Sequence, residues 1–248
     1  MGPASGPAGG DRSLSGTPTD AERAAPVPPG SLRVVVTYLE MRAAPKRTSG
    51  PPPFADVALR RLVKPSVAAY RFLYDSVGEP WLWNERRRLG ETALRAVIED
   101  PRLEILVLTV AGRVAGFAEI DHRPAPDSRL AYFGLLPAYI GRGLGRWFLA
   151  RAVERAWKSR PRHLLVNTCS FDHPAALPLY RRAGFTVVEH VERTFRDPRL
   201  AGILPLGAAP HIPLAAPPEP PSPDTVVVDF LRVWGENGRP PHREDTDS

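Results

Sequence analysis

The stretch Tyr132–Arg155, YFGLLPAYIGRGLGRWFLARAVER, joins an apolar run to an amphipathic, arginine-rich run through a glycine-rich turn. The glycines of the turn occupy every second position, at Gly141, Gly143 and Gly145. A strand that leads through glycines into a helix leaves backbone N–H groups free at the helix N-terminus, where the helix dipole favours an anion. The stretch therefore indicates either a phosphate-binding turn or a purely structural connection between a strand and a helix.

Two better-known phosphate-binding patterns do not fit this turn. The glycine spacing differs from G-x-G-x-x-G, so the dinucleotide-binding fingerprint is absent, and no G-K-[ST] follows, as an ATP-type loop requires. Arg142 and Arg146 flank the glycines and add positive charge suited to phosphate. Taken alone, the turn leaves its two interpretations about equally supported.

Composition divides the chain of 248 residues into three parts. Residues 1–30 are mostly Pro, Gly, Ala and Ser, and we expect them to be disordered because they have too few apolar side chains to offset their ordering entropy. Residues 31–206 form the predicted domain, whose net charge of +11 favours anionic ligands. Residues 207–248 are predicted to be a Pro-rich, extended linker and a tail, although residues 225–236 are more apolar than a free tail requires.

Cysteine and hydropathy patterns predict a cytoplasmic protein. Cys169 is the single cysteine, so no intrachain disulfide forms, which fits a reducing compartment. The sequence contains neither an apolar run of membrane-spanning length nor the apolar core of a signal peptide. Its histidines have no metal-ligand spacing, so we expect no metal.

The order of predicted elements is β α α β β β α β α β, which indicates the α/β class with a mixed β-sheet flanked by helices, in a single domain. The predicted strands are 32–41, 103–110, 114–121, 130–137, 163–168 and 186–195. The predicted helices are 65–77, 84–100, 143–159 and 172–184.

A second motif lies about twenty residues after the glycine turn. The segment 166–185, VNTCSFDHPAALPLYRRAGF, provides a strand-end Asn167, a helix that carries Tyr180 and the ending LYRRAGF. Together with IGRGLG (140–145), it resembles the GNAT superfamily of N-acetyltransferases, over about residues 31–200. In that superfamily the glycine turn binds the pyrophosphate of acetyl-CoA, and the tyrosine lies near the thioester sulfur.

The resemblance implies an acetyl-CoA-dependent N-acetyltransferase that acts on a primary amine of a small molecule or protein, with no nucleic-acid, membrane or metal partner. The alternative is a GNAT-like protein that binds acyl-CoA without turnover, as a sensor or scaffold, because Ile140 stands where the superfamily has Gln or Arg. The implied cofactor-binding residues are Leu135, Leu136, Ile140, Gly141, Arg142, Gly143, Leu144, Gly145, Arg146 and Asn167.

The resemblance also implies direct acyl transfer, in which the amine must lose a proton and the leaving thiolate must gain one. Tyr180 is the predicted donor of the proton to the thiolate. Glu119 is the predicted general base, because it precedes the cofactor strand and shares a strand face with Asp121. Backbone N–H groups near Leu135 and Leu136 are expected to stabilise the developing negative charge on oxygen.

The segment between the first two helices, GEPWLWNE (78–85), is expected to shape the acceptor pocket. Trp81 and Trp83 are candidates for an aromatic wall, and Glu79 or Glu85 for the group that meets a cationic amine. The tryptophans are equally compatible with packing between the two helices.

Overall fold

The computed structural model describes residues 26–46 and 50–217, which form a seven-stranded sheet with the order β2-β3-β4-β5-β6-β1-β7. Adjacent strands are antiparallel except β5 and β6, which are parallel. The strands are β1 (Ser31–Met41), β2 (Val57–Leu62), β3 (Leu103–Val110), β4 (Arg113–Asp121), β5 (Ser128–Leu135), β6 (Leu164–Cys169) and β7 (Thr186–Arg196). The helices are α1 (Val67–Gly78), α2 (Glu91–Ile98), α3 (Leu144–Ala156) and α4 (Ala176–Arg182).

Helices cover both faces of the sheet, so the predicted mixed sheet flanked by helices is confirmed. Residues of α1 and α2 pack with β3 and β4 on one face, whereas α3 and α4 pack on the other. Helices α1 and α3 each bury the apolar stripe that their sequences predict. In α1 the buried side chains recur at helical spacing, and the Ser66 hydroxyl accepts a hydrogen bond from the Ala69 N–H at 3.1 Å, which caps the helix. None of the helices within the described ranges has the length and hydrophobicity needed to cross a bilayer.

Two elements differ from their sequence predictions. Strand β2 was not predicted, because its sequence VALRRL forms an edge strand that is only partly buried. The helix predicted over 84–100 begins only at Glu91, after Gly90 in extended conformation. The preceding residues instead place arginines in ion pairs with α1 and β4, namely Arg87 with Asp75 and Arg86 with Glu119.

Residues 207–217 also differ from prediction, since they pack against the domain instead of forming an extended linker. Besides the two apolar clusters on the faces of the sheet, a third apolar cluster contains Leu32 of β1 and Leu82. It also buries Ala209, Ile212 and Ala215 of this segment. We infer that the folded unit extends from about residue 30 to 216, beyond the predicted boundary at 206. The predictions for residues 1–25 and 225–236 lie outside the described residues.

A buried ion pair holds this C-terminal segment in place. Arg199 and Asp197 are 3% and 0% exposed, and the guanidinium donates a hydrogen bond of 2.8 Å to the carboxylate. Arg199 also donates to the backbone carbonyls of Ile212 and Pro213, at 2.8 and 2.9 Å. Burial opposes ionisation of Asp197, but the hydrogen bonds from Arg199 outweigh it and hold the pKa of this carboxyl below its ordinary value.

Replacing Arg199 should destabilise the fold strongly. Arg199→Met leaves the Asp197 carboxylate buried without its cation, and we expect the free energy of unfolding in urea to fall by about 3–5 kcal/mol. The control is Arg196→Met, which removes an exposed arginine at the end of β7 and should change stability by less than about 0.5 kcal/mol. Equal effects of the two substitutions would contradict the proposal that the Asp197–Arg199 pair holds residues 207–217 in place.

Candidate active site

Strand β5 separates from β6 after a bulge at Ala131. On β4, Ile120 pairs with Leu130 and Glu119 pairs with Tyr132, so Ala131 is an extra residue on β5. A bulge bends its strand and increases its local twist. The parallel pairing between β5 and β6 ends at Leu130, and the two strands diverge from that residue onward.

The divergence opens a cavity of about 830 Å³, which is a common size for small-molecule sites. Tyr132 and Leu135 line it from β5, and Asn167 and Cys169 line it from β6. On one face of the sheet the cavity reaches the start of α3, and on the other it reaches the segment that follows α1. The opening therefore passes through the sheet.

The cavity brings together most of the predicted site residues. Those that line it are Leu135, Ile140, Gly141, Gly143, Gly145, Arg146, Asn167 and Tyr180. Those that do not line it are Glu119, Leu136, Arg142 and Leu144.

Leu136 and Leu144 have structural roles instead of the predicted binding roles. The Leu136 N–H donates a hydrogen bond to the Ala115 carbonyl at 2.9 Å, so it is not available to stabilise negative charge in the cavity. Leu144, the first residue of α3, has no exposed surface and packs in the core between α3 and the sheet. Neither residue lines the cavity, whereas Gly141, Gly143, Gly145 and Arg146 of the turn do.

The glycine turn has the backbone geometry that its sequence predicts. Gly141 and Gly143 have φ angles of +80° and +79°, a region that glycine adopts without steric cost. A Cβ built on either residue would meet no atom within 4 Å, so open space lies beside the turn. Gly143 precedes α3, and none of the described side chains caps the N–H groups of its first turn.

The charges around the N-terminus of α3 favour an anion. Acidic side chains normally stabilise the first turn, but α3 has none there and carries Arg146 instead. Arg142 lies over the ring of Tyr139, with its guanidinium carbon 5.9 Å from the ring centre. Free N–H groups, positive side chains and open space together suit an anion such as a pyrophosphate.

Tyr180 is placed at the cavity in the state required of a proton donor. It is 6% exposed and lies between Phe133 and Phe185, whose ring centres are 6.3 and 5.9 Å from its own. Burial, assisted by the Asp172 carboxylate, raises the pKa of Tyr180 well above that of free tyrosine. Within the described ranges its hydroxyl makes no hydrogen bond to protein, so it is available to a ligand.

Glu119 is buried away from the cavity, which disagrees with its predicted role as general base. Its carboxylate has no exposed surface. One oxygen is paired with Arg86, and the other accepts a hydrogen bond of 2.5 Å from the Tyr70 hydroxyl. Period-two spacing identified the strand face correctly, but that face is covered by α1 and by Arg86.

The segment after α1 places the predicted acceptor residues at the cavity. Trp81, Trp83 and Glu85 line it, whereas Glu79 lies outside it and pairs with Arg87. The Glu85 carboxylate is exposed and accepts a hydrogen bond of 3.0 Å from the Tyr74 hydroxyl. Trp83 also packs in the core against α1, as the packing alternative predicts.

Asp172 and Cys169 occupy the β6 side of the cavity. The Asp172 carboxylate accepts hydrogen bonds from the Thr168 hydroxyl and the Cys169 N–H, both at 2.8 Å, so it caps this turn instead of α4. Burial raises the pKa of Asp172. Burial and the Asp172 charge raise the pKa of the Cys169 thiol to about 12, which argues against a thiolate nucleophile.

Two arginines at the cavity belong to no motif. Arg88 follows the tryptophan segment, and Arg193 lies on β7. One sequence pattern was available for Arg193. Period-two spacing along β7 places it on the same strand face as Phe195, which also lines the cavity.

Comparison with solved structures finds this fold in other proteins. A GCN5-related N-acetyltransferase from Sphaerobacter thermophilus matches with 18% identity and a TM-score of 0.50, over 68% of this chain and 52% of that one. A GCN5-related N-acetyltransferase from Kribbella flavida matches with 16% identity and a TM-score of 0.44, over 70% and 63%. The chain thus spans about half to two thirds of the length of these proteins.

An aminoglycoside acetyltransferase from an uncultured soil metagenomic sample, solved in complex with sisomicin, matches with 11% identity and a TM-score of 0.46, over 55% of this chain and 92% of that one. No curated protein sequence matches the chain.

Part of the sequence also matches the model of a protein family. Residues 69–185 match the model described as the acetyltransferase (GNAT) family. This range runs from α1 to the residues after α4, and it contains both strands of the opening, the glycine turn and Tyr180. Sequence motifs, fold and family model agree, and residues 69–185, slightly less than half of the chain, form a region of the acetyltransferase (GNAT) family.

Proposed function

We propose that this protein transfers an acetyl group from acetyl-CoA to the nitrogen of a primary amine. The observation that carries the proposal is the cavity between β5 and β6, because one continuous space contains the uncapped N-terminus of α3, the Tyr180 hydroxyl and the wall that includes Trp81. An anion site, a proton donor and an aromatic wall are the parts that an acyl transfer from a phosphorylated donor to an amine requires.

The residues of the glycine turn fit the phosphate end of the donor. Gly141 and Gly143 leave open space beside the backbone, and α3 directs its unpaired N–H groups toward that space. Arg146 adds positive charge at the cavity wall. Further along, the exposed Asn167 amide both donates and accepts hydrogen bonds, as the amides of a pantetheine arm require. When bound, acetyl-CoA supplies the activated thioester.

The transfer requires two proton movements at the residues of the chain. The amine nitrogen must be neutral to attack the thioester carbonyl carbon. A carbon–nitrogen bond then forms and the carbon–sulfur bond breaks, so the nitrogen loses a proton and the sulfur gains one. Tyr180 gives its hydroxyl proton to the sulfur, and water returns a proton to Tyr180. Its raised pKa keeps the hydroxyl protonated until the sulfur requires it.

A protein that binds acyl-CoA without turnover is the second candidate. The burial of Glu119 favours it, because this burial removes from the cavity the base that the sequence predicted. Release of free CoA thiol in the presence of an amine panel separates the two functions. Absence of acetyl-CoA binding in calorimetry contradicts both.

Charge at the glycine turn should control acetyl-CoA affinity. Asparagine and aspartate are nearly isosteric and both tolerate positive φ, so Gly143→Asn and Gly143→Asp differ mainly by one negative charge. We expect Gly143→Asp to weaken acetyl-CoA binding at least about tenfold more than Gly143→Asn, a difference of about 1.4 kcal/mol by calorimetry. Equal affinities of the two variants would show that no phosphate lies beside the turn.

Removal of the Tyr180 hydroxyl should affect turnover but not donor binding. Tyr180→Phe keeps the ring contacts with Phe133 and Phe185 and removes the proton donor. We expect kcat to fall about 100-fold or more, with the acetyl-CoA dissociation constant nearly unchanged. The matched control is Tyr38→Phe on β1, outside the cavity, which should leave kcat unaltered. An unchanged kcat in Tyr180→Phe would rule out its role as proton donor.

A further inference from the structure

The cavity on the α1 face of the sheet has an aromatic wall, formed by Trp81, Trp83, Tyr132, Phe171 and Phe195. Each of these side chains is partly exposed. Four of these rings form two contacting pairs, with centres 5.1 Å apart for Trp83 and Tyr132 and 6.1 Å apart for Phe171 and Phe195. We call these five residues the acceptor wall. Such a surface binds a flat apolar body through stacked and edge-to-face contacts.

The acceptor wall is supported from behind by the C-terminal segment. Phe171 and Phe195 pack against the third apolar cluster, which contains Leu204 and Ile212. The Trp81 ring lies edge-on to His211 and His173, with centres 5.2 and 5.5 Å apart. The Asp197–Arg199 pair holds this segment, so the shape of the acceptor wall is fixed before a ligand binds.

Among the described residues, Glu85 Oε1 is the carboxylate oxygen at this cavity that accepts no hydrogen bond, which suits it to meet a cation. Glu85 and Asp172 are the acidic residues that line it within the described part of the chain. Both oxygens of Asp172 accept hydrogen bonds, from Trp83 on one side and from Thr168 and Cys169 on the other. In Glu85, Oε2 accepts from Tyr74, whereas Oε1 receives none of the hydrogen bonds in the described ranges.

The remaining charges disfavour an acceptor with several cations. Arg88 and Arg193 also line this part of the cavity, and neither forms an ion pair within residues 26–46 and 50–217. Two guanidiniums repel any ammonium beyond the one that Glu85 neutralises. A polyamine or an aminoglycoside would therefore bury excess positive charge, whereas a monoamine would not.

From these observations we infer that the acceptor is a small primary monoamine with an aromatic body, which packs on the acceptor wall while its ammonium meets Glu85. This inference rests on the proposed acetyl transfer and names its substrate class. Glu85 takes one proton from the ammonium and later gives it to water. The resulting neutral nitrogen attacks the thioester carbon, the carbon–sulfur bond breaks, and the second nitrogen proton leaves to water as Tyr180 protonates the sulfur.

A panel of amines tests the acceptor class by release of CoA thiol. We expect kcat/KM for 2-phenylethylamine to exceed that for spermidine, for an aminoglycoside and for a lysine-containing peptide at least about tenfold, because only the first matches both the acceptor wall and the single charge. 2-Cyclohexylethylamine is the control for aromaticity, and it should rank between 2-phenylethylamine and spermidine. Preference for a polyamine, an aminoglycoside or the peptide overturns the inference, as does turnover of none of the amines.

Glu85→Gln tests the carboxylate, with Glu91→Gln on exposed α2 as the matched control. We expect Glu85→Gln to lower kcat at least about tenfold and to weaken binding of 2-phenylethylamine to the protein–CoA complex in calorimetry, while acetyl-CoA affinity stays the same. Trp81→Leu should raise KM for 2-phenylethylamine without a matching fall in kcat, whereas Trp147→Leu, outside the cavity, should not.

The outcomes separate this inference from the proposed function. Wild-type protein that does not bind acetyl-CoA refutes the proposed function. Wild-type protein that binds acetyl-CoA and acetylates another class of amine leaves the function intact and refutes only the inference. Wild-type behaviour of both Glu85→Gln and Trp81→Leu also refutes it.

Discussion

The bulge at Ala131 is the constraint on which the site depends. One additional residue on β5 turns the strand away from β6, and the facing edges of the two strands no longer form ladder hydrogen bonds with each other. On one face of the sheet, β5 lies so close to α1 that a Cβ on Gly134 would overlap Val77. The strand therefore diverges without loss of packing, and the sheet gains a cavity with backbone on both sides.

Glu119 contributes to the site through Arg86. The pair, together with the Tyr70 hydroxyl, ties the segment after Leu82 to β4 and α1 at a position with no exposed surface. Glu85 immediately precedes Arg86 in the chain and is held in turn by Tyr74. A buried carboxylate thus positions an exposed one, and in the proposed mechanism the base is Glu85, a residue outside the sheet.

Residue spacing within a segment predicted the structural features that depend on neighbouring residues in the sequence. The buried stripe of α3 and the positive φ angles of the glycine turn both follow from spacing within one segment, whereas the placement of Tyr180 was implied by the family resemblance. Strand β2 lacked such a pattern because it is an edge strand. The burial of Glu119 was not predictable, since its partner Arg86 lies 33 residues away in sequence. Likewise, proline content suggested a linker at 207–217, where carbonyls of the segment instead surround Arg199.

The C-terminal segment brings the chain back to Gly30, where the folded unit begins. The Gly30 N–H donates a hydrogen bond to the Ala216 carbonyl, and Leu32 and Ala215 share one apolar cluster. The folded unit is therefore topologically close to a ring, and a short linker from 216 to 30 could close it, with new ends placed in the exposed hairpin turn at Ala111–Gly112. It also follows that the two ends of the described unit lie together, beside the apolar cluster that supports Phe171 and Phe195.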